Sequence, residues 1–304
     1  MRLMENVLTL IAGTAPLGHS VVTEARDALA GAGAGTGDAV WLAAGRACDI
    51  PFDGLPPFEA AAGVRDALDG EPFDLVAQPV DGRRKKLLVA DMESTIIDNE
   101  MIDELAAELG LQDRIADLTA RTMRGELDFA ESLIERVRIL EGLDMPVLEK
   151  LQGNIRVNPG AAELVATMRA NGGFCALVSG GFTVYTEYVR ELVGFDHDQA
   201  NRLEIVDGKL TGRVVEPILD RLAKKACLLR LAKDLAISPG SAVAVGDGAN
   251  DLAMVLAAGL GVAYRGKPIL AETAAMRIDY GDLTALLYAQ GYREEEIVGG
   301  AVSK

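Results

Sequence analysis

The residues able to do chemistry fall in clusters that each follow a short apolar run. Asp91-Met92-Glu93-Ser94-Thr95 follows Leu87-Leu88-Val89-Ala90. That run suits a strand buried in a parallel sheet, where ligands gather at the carboxyl ends of the strands. Asp91 there is a carboxylate nucleophile, followed by Ser94 and Thr95 as the chain turns towards a helix, beside backbone N–H groups that can hold phosphate oxygens. Alone, the stretch reads as readily as an acidic turn leading into a helix cap. Ser179-Gly180-Gly181 repeats the placement after the run 174–178. It offers a hydroxyl donor and two glycines that admit a close backbone approach, although both are also ordinary turn residues. Gly246-Asp247-Gly248-Ala249-Asn250-Asp251, after 242–245, brings two carboxylates and an amide to a third strand end. Their oxygens suit Mg²⁺, and the spacing lacks the alternating ligands and closing glutamate of a calcium loop. Lys224, early in a helix expected from 217, would by itself be a solvated lysine. Together the clusters supply a nucleophile, a hydroxyl, a cation and a metal-binding oxygen set, which is the inventory of phosphoryl transfer.

Bringing these strand ends together requires an open, mainly parallel α/β sheet flanked by helices. The pattern predicts helices 160–171, 217–236, 249–258 and 282–289 alternating with strands 174–178, 242–246, 260–264 and 276–279. A hairpin, 202–206 with 209–214, turns at Asp207-Gly208. Between the Asp91 stretch and this alternation lie four helical segments, near 98–109, 111–124, 128–141 and 144–152, broken at Gly110, Gly125, Gly142 and Gly153. An all-helical block beside the active edge of a sheet reads as a cap over a substrate. Ahead of it stand strands 7–12, 39–44 and 73–80 and helices 20–32 and 57–68, a small α/β module in which His19 beside Ser20 reads as a surface turn. The expected division is an N-terminal module 1–82, a core 83–97 with 154–292, an inserted cap 98–153 and a fraying tail 293–304, with 83–86 as a solvated linker.

A chain of 304 residues is long enough for two domains or one with a large insertion, and 49% hydrophobic with 25% charged residues is ordinary for a globular protein. No apolar run approaches the roughly 18 residues of a membrane span, and no leader pattern opens the chain, so a cytoplasmic protein is expected. Cys48, Cys175 and Cys227 are widely separated in apolar surroundings and read as core thiols. A net charge of −16 argues against nucleic acid or an anionic membrane as partner. The same charge repels a phosphate ester, so the site must supply its own cations.

The order Asp91-x-Glu93-Ser94-Thr95, Ser179-Gly180-Gly181, Lys224, Gly246-Asp247-Gly248-x-Asn250-Asp251 resembles the haloacid-dehalogenase superfamily of phosphatases and, within it, the phosphoserine phosphatases. The likeness runs from 87 to 287, taking in Asn99-Glu100, Phe182, Ala200-Asn201-Arg202-Leu203, Asp207-Gly208-Lys209 and Lys267-Pro268. It implies a Rossmann-like core with Mg²⁺ held by Asp91, the main-chain carbonyl of Glu93 and Asp247, supported by Asp251. It also implies hydrolysis of O-phospho-L-serine, the last step of L-serine synthesis, through an aspartyl phosphate on Asp91, with Glu93 as acid and base. The substrate contacts implied are Glu100, Met123, Phe129, Arg136, Ser179, Gly180, Lys224 and Asn250.

The chain departs from the family pattern at one catalytic position, where Glu93 replaces the usual aspartate, keeping the acid and lengthening its reach. That departure leaves transfer of the phosphoryl group to homoserine as a rival outcome, and a non-catalytic ligand sensor is a second rival. Arg136 shares a helical face with Phe129, Leu133 and Leu140, so it points inward either to grip a carboxylate through two hydrogen bonds or to pair internally. Met123 and Phe129 wall the pocket or simply pack. The N-terminal module is placed like an ACT-type sensing module, but the three strands expected fall short of that βαββαβ pattern, and packing or homodimerisation are equal readings.

Overall fold

The computed structural model describes residues 4–123, 127–300 and 302, apart from the side chains of 119, 120, 122 and 123. The chain opens with β1 (Asn6–Ala12), α1 (His19–Gly31), the two-residue β2 (Gly35–Thr36), β3 (Val40–Ala43), β4 (Ala47–Asp53), α2 (Pro57–Ala67) and β5 (Phe73–Pro79). The three-strand expectation misses β4, whose alternation is interrupted by Asp49, Pro51 and Asp53. Yet β4 pairs antiparallel with β1 from Ala47 to Phe52. On its other side β3 reaches Asp49 and β2 begins opposite Phe52, so Pro51, with no N–H to donate, falls in the gap. The order β1-α1-β3-β4-α2-β5 is therefore the βαββαβ order that the sequence reading lacked.

β6 (Leu87–Ala90) is buried at every position, as its continuous apolar run demands of a strand covered on both faces. Four cap helices follow: α3 (Met101–Leu109), α4 (Gln112–Met123), α5 (Phe129–Arg138) and α6 (Met145–Gln152). Gly110, at φ 67°, ends α3 in the left-handed conformation that glycine adopts at no cost. Asp128 and Glu131 form a reciprocal capping box that starts α5. Then come α7 (Ala161–Ala170), β7 (Phe174–Phe182), α8 (Thr183–Val193), β8 (His197–Val206), β9 (Lys209–Val215), α9 (Arg221–Asp234), β10 (Ala242–Gly246), α10 (Leu252–Val255), β11 (Leu260–Tyr264), α11 (Pro268–Ala271), β12 (Met276–Ile278) and α12 (Ala285–Ala289). The helix expected from 217 starts only at Arg221, because the Asp220 carboxylate accepts the N–H groups of Leu222 and Ala223 and so caps it there.

The strands form one sheet in the order β2-β4-β1-β5-β12-β11-β10-β6-β7-β8-β9, with β3 beside β4. From β12 to β8 every neighbouring pair is parallel. One face carries the large apolar cluster that includes the cap, α7, α8 and α12, and the other packs against α9, α10 and α11. The arrangement is the Rossmann-like α/β fold expected. Two details are corrected. The linker is anchored as well as solvated: Arg84 and Lys86 stay exposed, but Arg83 pairs with Asp49 at 2.6 Å and the Arg84 guanidinium lies 4.2 Å from the Tyr292 ring centroid. The tail is anchored as far as 298: Ile297 packs on the core and the Val298 N–H donates to the Thr167 hydroxyl at 2.9 Å.

Candidate active site

The pairing of β6 with β10 continues one residue past the strand, with the Asp91 N–H donating to the Val245 carbonyl at 3.0 Å. This places Asp91 and Asp247 side by side at adjacent strand ends. Lys224, 2% exposed on α9, reaches between the loops and bonds Asp91 Oδ1 at 2.7 Å and Asp251 Oδ1 at 2.6 Å. Burial works against its charge, but the two carboxylates hold its pKa above the usual lysine value. Burial and the neighbouring Asp251 push the Asp91 carboxyl well up, against the pull of Lys224. Asp251 Oδ2 faces the N–H groups of Asp247 and Gly248, each at 3.2 Å, so its acceptors are engaged within the protein. A side chain at Gly246 would run into that carboxylate, which accounts for the glycine.

Ligand oxygens of Asp91, Asp247 and Asp251 lie within 4.8 Å of one another. Three carboxylates face two ammonium groups here, because Lys267 Nζ sits 3.0 Å from Asp247 Oδ2. The surplus of hard, anionic oxygen fits Mg²⁺, with Asp91 and Asp247 the residues left to hold it.

The cavity over these residues has a volume of about 380 Å³ and is walled by core and cap together. Asp91, Glu93, Gly180, Asp247, Asn250 and Lys267 come from the core, and Glu100, Phe129 and Arg136 from the cap. Asn250 Nδ2 approaches Asp91 Oδ2 at 3.5 Å. Glu93 Oε1 accepts the N–H of Met101 at 2.8 Å. Burial, then Glu100, pushes the Glu93 carboxyl up to about 7, with the Met101 N–H opposing. Burial also lowers the Arg136 pKa, while Asp103, Glu100 and Glu93 favour its charge.

Ser179 is buried in β7, where its hydroxyl oxygen accepts the Gly181 N–H at 2.9 Å. The strand expected to stop at 178 runs on to Phe182 through a register shift, so Ser179 to Gly181 form an irregular strand end instead of a turn. A Cβ on Gly181 would come within 2.9 Å of Glu93 Oε2, and one on Gly180 within 3.1 Å of Phe129 Cζ, so the bare glycines make room for the acid and for the cap. Met123 closes α4, but its side chain lies outside the described residues.

Three contributors escape the sequence reading as site residues. Lys267 follows β11, a fourth strand end whose position was the available signal. Asn201 donates to the Gly180 carbonyl at 2.9 Å and accepts the Leu219 N–H at 2.7 Å, fixing the glycine loop. Ser94 bonds Glu100 at 2.8 Å, a contact between loop and cap that no spacing announces.

Residues 88–255 match the haloacid dehalogenase-like hydrolase family model. The phosphoserine phosphatase of Streptomyces coelicolor is 43% identical over 241 residues, 79% of this chain and 59% of that protein. That of Archaeoglobus fulgidus is 44% identical over 232 residues, 74% of this chain and 67% of its own length. The chain thus spans between about half and two thirds of these curated relatives. A crystal structure of a probable phosphoserine phosphatase from Vibrio cholerae, unliganded, superposes with a TM-score of 0.76 at 32% identity, covering 96% of this chain and 88% of that one. The chain belongs to the haloacid dehalogenase-like hydrolase family, in its phosphoserine phosphatase branch.

Proposed function

We propose that the chain is a Mg²⁺-dependent phosphoserine phosphatase that hydrolyses O-phospho-L-serine to L-serine and phosphate, the last step of L-serine synthesis. The observation that carries this reading is the shared cavity, in which a carboxylate clamped by a buried lysine faces a second carboxylate, Glu100, and a guanidinium, Arg136. Those two opposite charges match the ammonium and carboxylate of the substrate.

Asp91 Oδ1 is occupied by Lys224 and the Met92 N–H, which leaves Oδ2 to attack phosphorus. The bond from phosphorus to the serine oxygen breaks, and that oxygen takes its proton from Glu93. Glu93, now a carboxylate, removes a proton from the water that attacks the aspartyl phosphate, releasing phosphate and restoring Asp91. A pKa of about 7 lets one group give and take the proton near neutrality. Lys224, Ser179 and Asn250 hold the phosphoryl oxygens, and Gly180 gives them room. When bound by Asp91, Asp247 and the Glu93 carbonyl, Mg²⁺ supplies the further neutralisation that an anionic nucleophile needs against a phosphate dianion.

The relatives carry the phosphatase name, which does not favour transfer to homoserine. The proposal divides the chain into module 1–82, core 83–97 with 154–292, cap 98–153 and tail 293–304, with packing or homodimerisation assigned to the module. Among the described residues no helix is long and apolar enough to cross a membrane. Three buried free cysteines support a reducing, cytoplasmic setting. The test is phosphate release from O-phospho-L-serine by wild type and Asp91→Asn, each with Mg²⁺ and with EDTA. Release is expected only from wild type with Mg²⁺, and phosphoserine left intact under that condition overturns the reading.

A further inference from the structure

Ser94 stands in an uncommon backbone conformation, φ 54°, one of four non-glycine residues at positive φ among the described residues. Such a conformation is costly for a serine and persists where its surroundings impose it. Here it turns the hydroxyl back over the loop, where Oγ donates to Glu100 Oε1 at 2.8 Å. Glu100 stands at the N-cap position of α3, yet its side chain caps no N–H of that helix. Its carboxylate is therefore oriented by the nucleophile loop instead of by its own helix. The neighbouring residue makes a parallel tie, since Glu93 Oε1 accepts the N–H of Met101, the first residue of α3. An aspartate at position 93 would be one methylene short of that reach. Two consecutive loop residues thus lace to two consecutive residues at the entrance of the cap.

We propose that Ser94 is a positioning residue for substrate selection: its hydroxyl fixes the Glu100 carboxylate so that the other oxygen faces the ammonium of the substrate, which ties recognition of the amino group to the loop that carries Asp91. This rests on the function proposed above and deepens it. The hydroxyl also consumes one acceptor of Glu100 with a neutral donor, so the carboxylate keeps its charge for the ligand. Burial raises the Glu100 pKa while the Ser94 bond lowers it, in keeping with that role.

The experiment compares wild type, Ser94→Ala, Ser94→Gly and Ser94→Asn on O-phospho-L-serine and on 3-phosphooxypropionate, the same molecule without its ammonium. Alanine removes the hydroxyl and keeps the backbone cost, whereas glycine removes both, so the pair separates hydrogen bonding from strain. Loss of a hydrogen bond to a charged group predicts a rise in KM for phosphoserine of about 10- to 100-fold in both variants, with kcat changed far less. KM for the deaminated analogue stays at its wild-type value. Asparagine tolerates the left-handed region and carries a donor, so Ser94→Asn recovers part of the loss. An unchanged KM for phosphoserine in Ser94→Ala, or an equal rise for both substrates, overturns the assignment of Ser94 while leaving the phosphatase reading standing. A wild type that spares phosphoserine removes both.

Discussion

Lys224→Met tests how much the buried lysine contributes, because methionine fills nearly the same space without the charge. The ammonium lies 2.7 Å from Asp91 and 2.6 Å from Asp251 at 2% exposure, so its loss strands two buried carboxylates. Breaking a buried ion pair by removing one partner costs about 3–5 kcal/mol, and a cation serving two anions belongs at the upper end, about 5 kcal/mol. For a chain of this size each kcal/mol moves the melting midpoint by about 2 °C, which gives a fall of about 10 °C. The measurement is calorimetry in EDTA at pH 8, so that no divalent ion replaces the missing charge. Lowering the pH should shrink the deficit, since Asp91, already pushed up by burial and Asp251, takes up a proton once Lys224 no longer opposes it. Adding Asp251→Asn should restore part of the midpoint by removing one stranded charge. A Lys224→Met variant melting within about 2 °C of wild type at pH 8 would refute the reasoning.

Glu93 gives a prediction whose sign is set by its raised pKa, about 7 in the folded chain against an ordinary 4.5. The stability it contributes is fully present below the unfolded value and is lost as pH rises through the folded one, so Glu93→Gln should gain on wild type between pH 4.5 and 7. Urea denaturation across that window in EDTA checks it, and parallel curves would remove the shift from consideration. Asp74, 3% exposed on β5, accepts the N–H groups of Asp279 at 2.8 Å, Tyr280 at 3.2 Å and Gly281 at 2.8 Å. Asp74→Ala strands these amides and should cost about 3 kcal/mol by urea denaturation, with faster hydrogen exchange at 279–281. A loss below about 0.5 kcal/mol would show that water replaces the carboxylate freely.

The candidate site was legible in the sequence because parallel strands end in polar residues, so Asp91, Ser179 and Asp247 announced themselves by what preceded them. The cap helices were equally plain from their 3.6-residue periodicity, with Gly110 and Gly153 following α3 and α6, while α5 stops at Arg138, short of Gly142, and Gly125 lies outside the described residues. What stayed hidden depended on partners distant in the chain. Nothing local distinguishes Lys224 from a solvated lysine until Asp91 and Asp251 are seen around it. β4 was invisible because Pro51 and its aspartates break the strand pattern, and only the gap between β2 and β3 makes the proline harmless. Arg83 and Arg84 read as a linker because their partners, Asp49 and Glu296, lie far along the sequence on either side.

The junction of β5 with β12 joins the N-terminal module to the catalytic sheet through the Arg277–Leu75 pairing, reinforced by Asp74 and by Gln78, whose amide donates to the Ala289 carbonyl at 2.6 Å. The strand pairing there is a single residue pair, so these side-chain bonds carry much of the join. A cut at residue 82 that removed β5 would lay bare the hydrogen-bonding rim of β12 to the next chain that drifted by.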